Sequence, residues 1–80
     1  MSAESVRIVE QIEELIHGDY DVKIFRTIEN EGELEQYDLY TVEVKNQDGL
    51  IVAEGGDTIL SEAIDTAYRN TLEMEERSIE

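Results

Sequence analysis

The stretch "YDLYTVEVKNQDGLIVAE", residues 37–54, contains two strand signals joined by a turn signal. Between residues 37 and 45, Tyr40, Val42 and Val44 recur at every second position, which is the period of a half-buried β-strand. The tetrapeptide "NQDG" at 46–49 is typical of a tight turn, because Asn, Asp and Gly readily adopt turn conformations. A shorter apolar run at residues 50–54 predicts the returning strand, so the whole stretch predicts an antiparallel hairpin.

The residues on either side of this hairpin predict one further strand and two helices. Apolar and polar residues alternate again over residues 20–28, which predicts a strand before the hairpin. After the hairpin, "GGD" at 55–57 is expected to break the third strand. Residues 2–17 have helical spacing, with Val9, Ile12 and Ile16 on the expected apolar face and Ile8 and Leu15 flanking it. Gly18 suits the end of that helix. Asp57 or the next residue can cap a second helix that runs to about residue 75. The expected apolar face of that helix comprises Leu60, Ala63, Ile64, Ala67, Thr71 and Leu72.

This order of elements predicts an α+β fold. Short links between the strands favour a three-stranded antiparallel meander, and both amphipathic helices can cover the sheet face that is richer in Val, Ile and Tyr. The expected architecture is therefore an αβββα two-layer sandwich that forms a single domain over residues 1–80, with an acidic tail frayed from about residue 74. The carboxylate-rich segment "ENEGELEQ", residues 29–36, falls between the first two strands and is interpreted as a solvated loop.

The charge of the chain is its most unusual property. Twenty-one acidic residues face six basic ones, for a formal net charge of −15. Such a chain is repelled by nucleic acids and anionic membranes, and it lacks the basic stripe of a direct nucleic-acid binder. The chain has no cysteine, no apolar run long enough to span a membrane and no signal-peptide pattern at its start, so a cytoplasmic location is predicted.

Few side chains suggest catalysis. His17 is the only histidine and falls at the end of the first helix, and no serine has an evident base partner. "EGGD" lacks the lysine and the spacing of a phosphate-binding loop, and "DYD" and "NQDG" have too few ligands for a calcium loop. The sequence therefore predicts a protein that is not an enzyme and that holds no cofactor or metal.

The order of elements is shared with double-stranded-RNA-binding domains, which grip phosphates partly with bases near the start of their second helix. Here that region reads "GGDTILSEAID", residues 55–65, and contains no base. Carboxylates all round a compact domain suggest instead a mimic of DNA that occupies an Arg- and Lys-lined groove. Adaptation to a salty cytoplasm gives similar totals of acidic and basic residues. More Asp is expected of a halophile, however, and here Glu outnumbers Asp fifteen to six.

Three segments carry a resemblance to a known family. "IEELIHGDYDVKI" (residues 12–24), "VKNQDGLIVAE" (44–54) and "AYRN" (67–70) are similar to parts of the small acidic anti-CRISPR proteins of Listeria prophages, which inhibit the type II CRISPR nuclease. The resemblance implies an acidic face that plugs the nuclease's site for reading the short motif beside its DNA target. Partner-binding positions implied by the match are Asp19 and Tyr20 after the first helix, Asp48 and Gly49 in the turn, and Glu73, Glu75 and Glu76 near the end.

Charge and resemblance together predict a phage-encoded inhibitor of the anti-CRISPR type that acts in the host cytoplasm. It would bind the basic DNA-recognition groove of a CRISPR effector or another nucleic-acid enzyme and block DNA binding, without contacting nucleic acid or membrane itself. Asp19 and Asp48, which are expected at turns on one end of the sheet, are the strongest candidates for contact. The alternative is a small acidic protein-interaction domain of a salt-adapted microbe with no inhibitory role.

Overall fold

The computed structural model describes the backbone of residues 3–79 and the side chains of residues 3–77. Its elements are α1 (Ala3–His17), β1 (Asp21–Glu29), β2 (Tyr37–Lys45), β3 (Ile51–Asp57) and α2 (Leu60–Ile79). The strands form one antiparallel sheet in the order β1-β2-β3. The predicted α+β class and αβββα order are therefore confirmed. Neither described helix has a stretch long and apolar enough to cross a membrane.

Strand register determines which side chains form the core. Val42 of β2 lies opposite Ile24 of β1 and Gly55 of β3, while Val44 lies opposite Val22 and Ala53. Residues paired in this way point to the same face of the sheet, and this face is the one covered by the helices. The buried apolar core comprises Leu15, Val42, Val44, Ala53, Ala63, Ile64 and Ala67.

The third strand is longer than the sequence predicts, because "GGD" continues it instead of breaking it. A Cβ added to Gly55 would stand 2.3 Å from the carbonyl oxygen of Ala63 and 2.6 Å from the backbone nitrogen of Ala67. Gly55 is therefore the residue that lets the backbone of α2 lie directly on β3. Its small size serves close packing, and the predicted strand break at this position was wrong.

Both turns at one end of the sheet have clear chemical causes. In the β2–β3 turn, the Oδ1 atom of Asn46 accepts hydrogen bonds from the backbone N–H groups of Asp48 and Leu50, at 2.9 and 3.0 Å. Gly49 has φ 80°, a conformation that favours glycine. After α1, the left-handed residue is Asp19, with φ 66°, while Gly18 donates to the carbonyl oxygen of Glu14 at 3.0 Å.

The buried face of α1 matches the predicted one only in part, because Ile8, Ile12 and Leu15 pack in or against the core. Gln11 and Leu15 are buried, whereas Val9 and Ile16 are 47% and 54% exposed. The apolar residues of α1 cover a wide arc of the helix, and α1 packs on α2 and β1 along one side of that arc only. Gln11 lies on the side of α1 that contacts α2, where its amide donates a hydrogen bond to Asp65.

Candidate binding surfaces

The α1–β1 turn and the β2–β3 turn meet at one end of the molecule, which we call the turn end (residues 18–20 and 46–49). An open pocket of about 310 Å³ lies between them, lined by Gly18, Asp19, Tyr20, Asn46, Gln47 and Asp48. The structure thus brings together Asp19, Tyr20 and Asp48, three of the predicted partner-binding residues, and Gly49 follows in the same turn. Asp19 and Asp48 are both exposed, so the pocket is acidic. A partner-binding role for these residues stays a prediction.

The end of α2 supplies one of its predicted residues to the turn end. The Tyr20 hydroxyl donates to Oε1 of Glu75 at 3.1 Å. Partial burial and this carboxylate raise the pKa of the Tyr20 hydroxyl above its usual value. Glu73 instead pairs with Arg77 along α2, at 3.2 Å, and Glu76 is exposed. Of the three partner-binding residues predicted on α2, only Glu75 therefore contacts the turn end in the described structure.

The opposite end of the sheet, the loop end, consists of the β1–β2 loop (residues 30–36) and the start of α2 (residues 57–62). Asn30 and Gly32 have φ of 56° and 87°, and the loop exposes the carboxylates of Glu31, Glu33 and Glu35. At the start of α2, Oδ1 of Asp57 accepts a hydrogen bond from the backbone N–H of Ile59 at 2.9 Å. Carboxylates therefore dominate both parts of the loop end.

Half of the basic side chains already have carboxylate partners within the chain. Arg69 bonds to Asp65 at 3.0 Å and Arg77 to Glu73 at 3.2 Å, while Arg26 lies 3.8 Å from Asp38. The other three bases are Arg7, Lys23 and Lys45. The surface therefore offers little cationic charge to a polyanion.

A polar network that the sequence analysis missed joins the two helices. Buried Gln11 donates through Nε2 to Oδ1 of buried Asp65 at 2.8 Å, and Arg69 bonds to the other carboxylate oxygen. Nearby, the Tyr68 hydroxyl donates to a carboxylate oxygen of Glu14, which raises the pKa of Tyr68. Oε1 of Gln11 has no hydrogen-bond partner in the described part of the chain. The signal in the sequence was a lone Gln among the apolar residues of α1.

Comparison with known proteins gives a fold likeness and no family. No protein-family profile matches the chain, and no curated protein matches it. Among solved structures, it is similar to the C-terminal dsRBD, a double-stranded-RNA-binding domain, of fission yeast Dicer (Dcr1), with a TM-score of 0.62 and 15% identity. The match covers 98% of this chain and 83% of the Dicer domain. The chain thus has the fold of a double-stranded-RNA-binding domain.

This likeness corrects the functional interpretation drawn from the sequence. The neighbour is a double-stranded-RNA-binding domain, and neither a family nor a curated relative supports the predicted anti-CRISPR identity. The interpretation as a phage DNA mimic that binds the basic groove of a nuclease was therefore wrong, and nothing supports the alternative of a halophilic interaction domain. The exclusion of nucleic acid as a ligand was also wrong, because it relied on net charge and set aside the shared order of elements.

Proposed function

We propose that this chain is a non-catalytic binding domain whose ligand is duplex RNA, held mainly through uncharged contacts in the presence of screening cations. The observation that carries the proposal is the fold likeness over 98% of the chain to a domain named for binding double-stranded RNA. Domains of this kind recognise the shape of the A-form duplex and its ribose 2′-hydroxyl groups across the minor groove. Such recognition needs a protein surface whose shape matches the A-form duplex, and a chain with the same fold can present such a surface.

The contacts must differ from those of a basic domain. The start of α2 has no base, and it carries Asp57 and Glu62. Two residues with hydroxyl groups nevertheless lie there: Thr58 is exposed and Ser61 is half-buried. Hydroxyl and carboxylate oxygens can accept hydrogen bonds from ribose 2′-hydroxyl groups, which carry no charge. The RNA contact at this end is therefore made to the ribose edge and not to the phosphates.

A net charge of −15 sets the salt dependence of such a complex. Most RNA-binding proteins lose affinity as salt rises, because salt opposes the release of counterions from the phosphates. Here the long-range force is repulsion, and salt shortens its range from about 30 Å at 0.01 M to about 8 Å at 0.15 M. The proposed complex should therefore strengthen as KCl or MgCl₂ is added.

Fluorescence anisotropy with a labelled RNA duplex of about 20 base pairs, longer than the roughly 16 that such a domain spans, tests the proposal. We expect saturable binding that increases with added salt and exceeds binding to a DNA duplex of the same sequence. The double substitution Thr58→Ala with Ser61→Ala should weaken binding, while Gln47→Ala at the turn end should not. Absence of saturable binding at every salt and Mg²⁺ concentration would overturn the proposal.

We also propose that the domain acts in the cytoplasm and catalyses no reaction. The lack of cysteine throughout the chain suits a reducing compartment. A binding role needs no activated nucleophile or base, and His17, the single histidine, is exposed at the end of α1.

A further inference from the structure

The outer edge of β1 is open to pairing. β1 lies at one side of the sheet and pairs with β2 along all nine of its residues. No described element pairs with its other side. Exposed strand edges carry unpaired N–H and C=O groups and invite a further strand, so proteins normally blunt or cover them.

Apolar side chains flank this open edge on the helix-covered face. Ile24 and Ile28 of β1 are 43% and 40% exposed, whereas Val42, which lies opposite Ile24 on β2, is fully buried. The difference arises because α2 packs on β3 and β2, and α1 contacts β1 less extensively. A neighbouring strand with apolar side chains at matching positions would bury both isoleucines.

Charge identifies which strand fits this edge. β1 contains two bases, Lys23 and Arg26, and two acids, Asp21 and Glu29, so it is neutral within a chain of net charge −15. The other edge strand, β3, carries two acids and no base. Two copies meeting through β3 would bring like charges together, whereas two copies meeting through β1 can place opposite charges side by side.

We propose that two copies of this chain associate by antiparallel pairing of β1 with β1, which forms a continuous six-stranded sheet. With the two-fold axis at Arg26, Ile24 lies opposite Ile28 of the second copy, and Lys23 lies opposite Glu29 of the second copy. Each pair consists of residues that share a face of the sheet, as antiparallel pairing requires. The axis places the two Arg26 side chains side by side, and each already has Asp38 of its own chain 3.8 Å away.

A register shifted to centre on Phe25 is less favourable. It would place Asp21 opposite Glu29 of the second copy, twice per dimer, and Ile24 opposite Arg26. That register also pairs Phe25 with Phe25 and Val22 with Ile28, but of the two registers only the one centred on Arg26 places a base opposite an acid. Because each copy carries the full negative charge, the dimer should also strengthen with salt, and it requires no RNA.

Sedimentation velocity over a range of protein concentrations tests the dimer directly, without RNA. The unsubstituted chain should show a monomer–dimer equilibrium that shifts toward dimer between about 0.05 and 0.5 M KCl as charges are screened. Lys23→Glu places like charges opposite each other twice per dimer and should raise the dissociation constant at least about tenfold, or about 1.4 kcal/mol. Lys45→Glu is the matched control, because it changes net charge equally from the central strand β2 and should have a clearly smaller effect.

The double variant Lys23→Glu with Glu29→Lys decides between specific pairing and diffuse repulsion. It restores an opposite-charge pair across the interface and should return the dissociation constant close to that of the unsubstituted chain. A thermal melt of each variant checks that the domain is folded. A chain that stays monomeric at all concentrations and salts, assemblies larger than a dimer, equal effects of Lys23→Glu and Lys45→Glu, or a folded double variant without recovery would each overturn the proposal.

Discussion

The substitution Gly55→Ala tests the contact through which α2 lies on the sheet. The added Cβ would stand 2.3 Å from the carbonyl oxygen of Ala63 and 2.6 Å from the backbone nitrogen of Ala67. Favourable contacts between non-bonded atoms begin at about 3.5 Å. Both of the clashing atoms belong to the backbone of α2, so a rotated side chain cannot relieve the overlap. The helix has to move away from β3.

The expected loss of stability combines two costs with one smaller gain. Overpacking of a close-packed interior costs about 1–3 kcal/mol. Replacing glycine stabilises a protein by about 0.4–1 kcal/mol where the backbone is compatible, because the unfolded chain loses freedom. The displacement of α2 also loosens its packing over Val42 and Val44, which are fully buried. We expect a net loss of about 2 kcal/mol, and thus a fall in Tm of about 8–16 °C for a domain of this size.

Gly56→Ala is the matched control in the adjacent position. A Cβ at Gly56 would meet only the carbonyl oxygen of Tyr40, at 3.8 Å, which is ordinary contact. We expect the free energy of unfolding of this variant to lie within about 1 kcal/mol of that of the unsubstituted chain. Thermal melts followed by circular dichroism compare the two variants at one pH and salt concentration. If the Tm of Gly55→Ala lies within about 2 °C of that of Gly56→Ala, the close approach of α2 is not what requires glycine.

Three further predictions concern capping, the network between the helices and pH. Asp57→Ala should lower the free energy of unfolding by about 1 kcal/mol in urea titrations, because it removes the side-chain acceptor at the start of α2. Asp65→Ala should cost about 1.5–3 kcal/mol in the same assay, since it leaves buried Gln11 without its acceptor; a change below about 0.5 kcal/mol would show that the network is not stabilising. The free energy of unfolding should fall as pH rises above about 10, because the raised pKa values of Tyr20 and Tyr68 make the folded state hold protons that the unfolded state releases. Urea titrations at about pH 9 and 11 should show a smaller fall for Tyr68→Phe than for the unsubstituted chain, and an equal fall would refute this assignment.

The sequence was sufficient for the number, type and order of the elements. Alternation of apolar residues and helical spacing depend on neighbours a few positions apart, so they can be read without knowledge of the fold. The second strand, Tyr37–Lys45, has the predicted bounds, and Asn46 and Gly49 make the predicted tight turn. Asp19 and Asp48 were also placed correctly at one end of the sheet, because their positions follow from the order of the strands.

Function was read wrongly because net charge is a property of the whole chain that several kinds of protein share. Charge totals and scattered identities led to a DNA mimic, although the shared order of elements also fits a double-stranded-RNA-binding domain. At 15% identity, too few residues match for the likeness of the two folds to be recognised from sequence. Comparison of the structures detects this likeness because two backbones can have the same geometry where their side chains differ.

Only the tertiary structure decided which faces are buried and which are left open. Gln11 is buried and Val9 is exposed because α1 packs on α2 and β1 along one side, where Asp65, 54 positions from Gln11 in the chain, accepts the hydrogen bond of Gln11. Gly55 continues β3 because α2 lies against it, and Ile24 stays exposed because α2 covers the other two strands. Each of these outcomes depends on contacts between residues far apart in the sequence, which local periodicity does not encode.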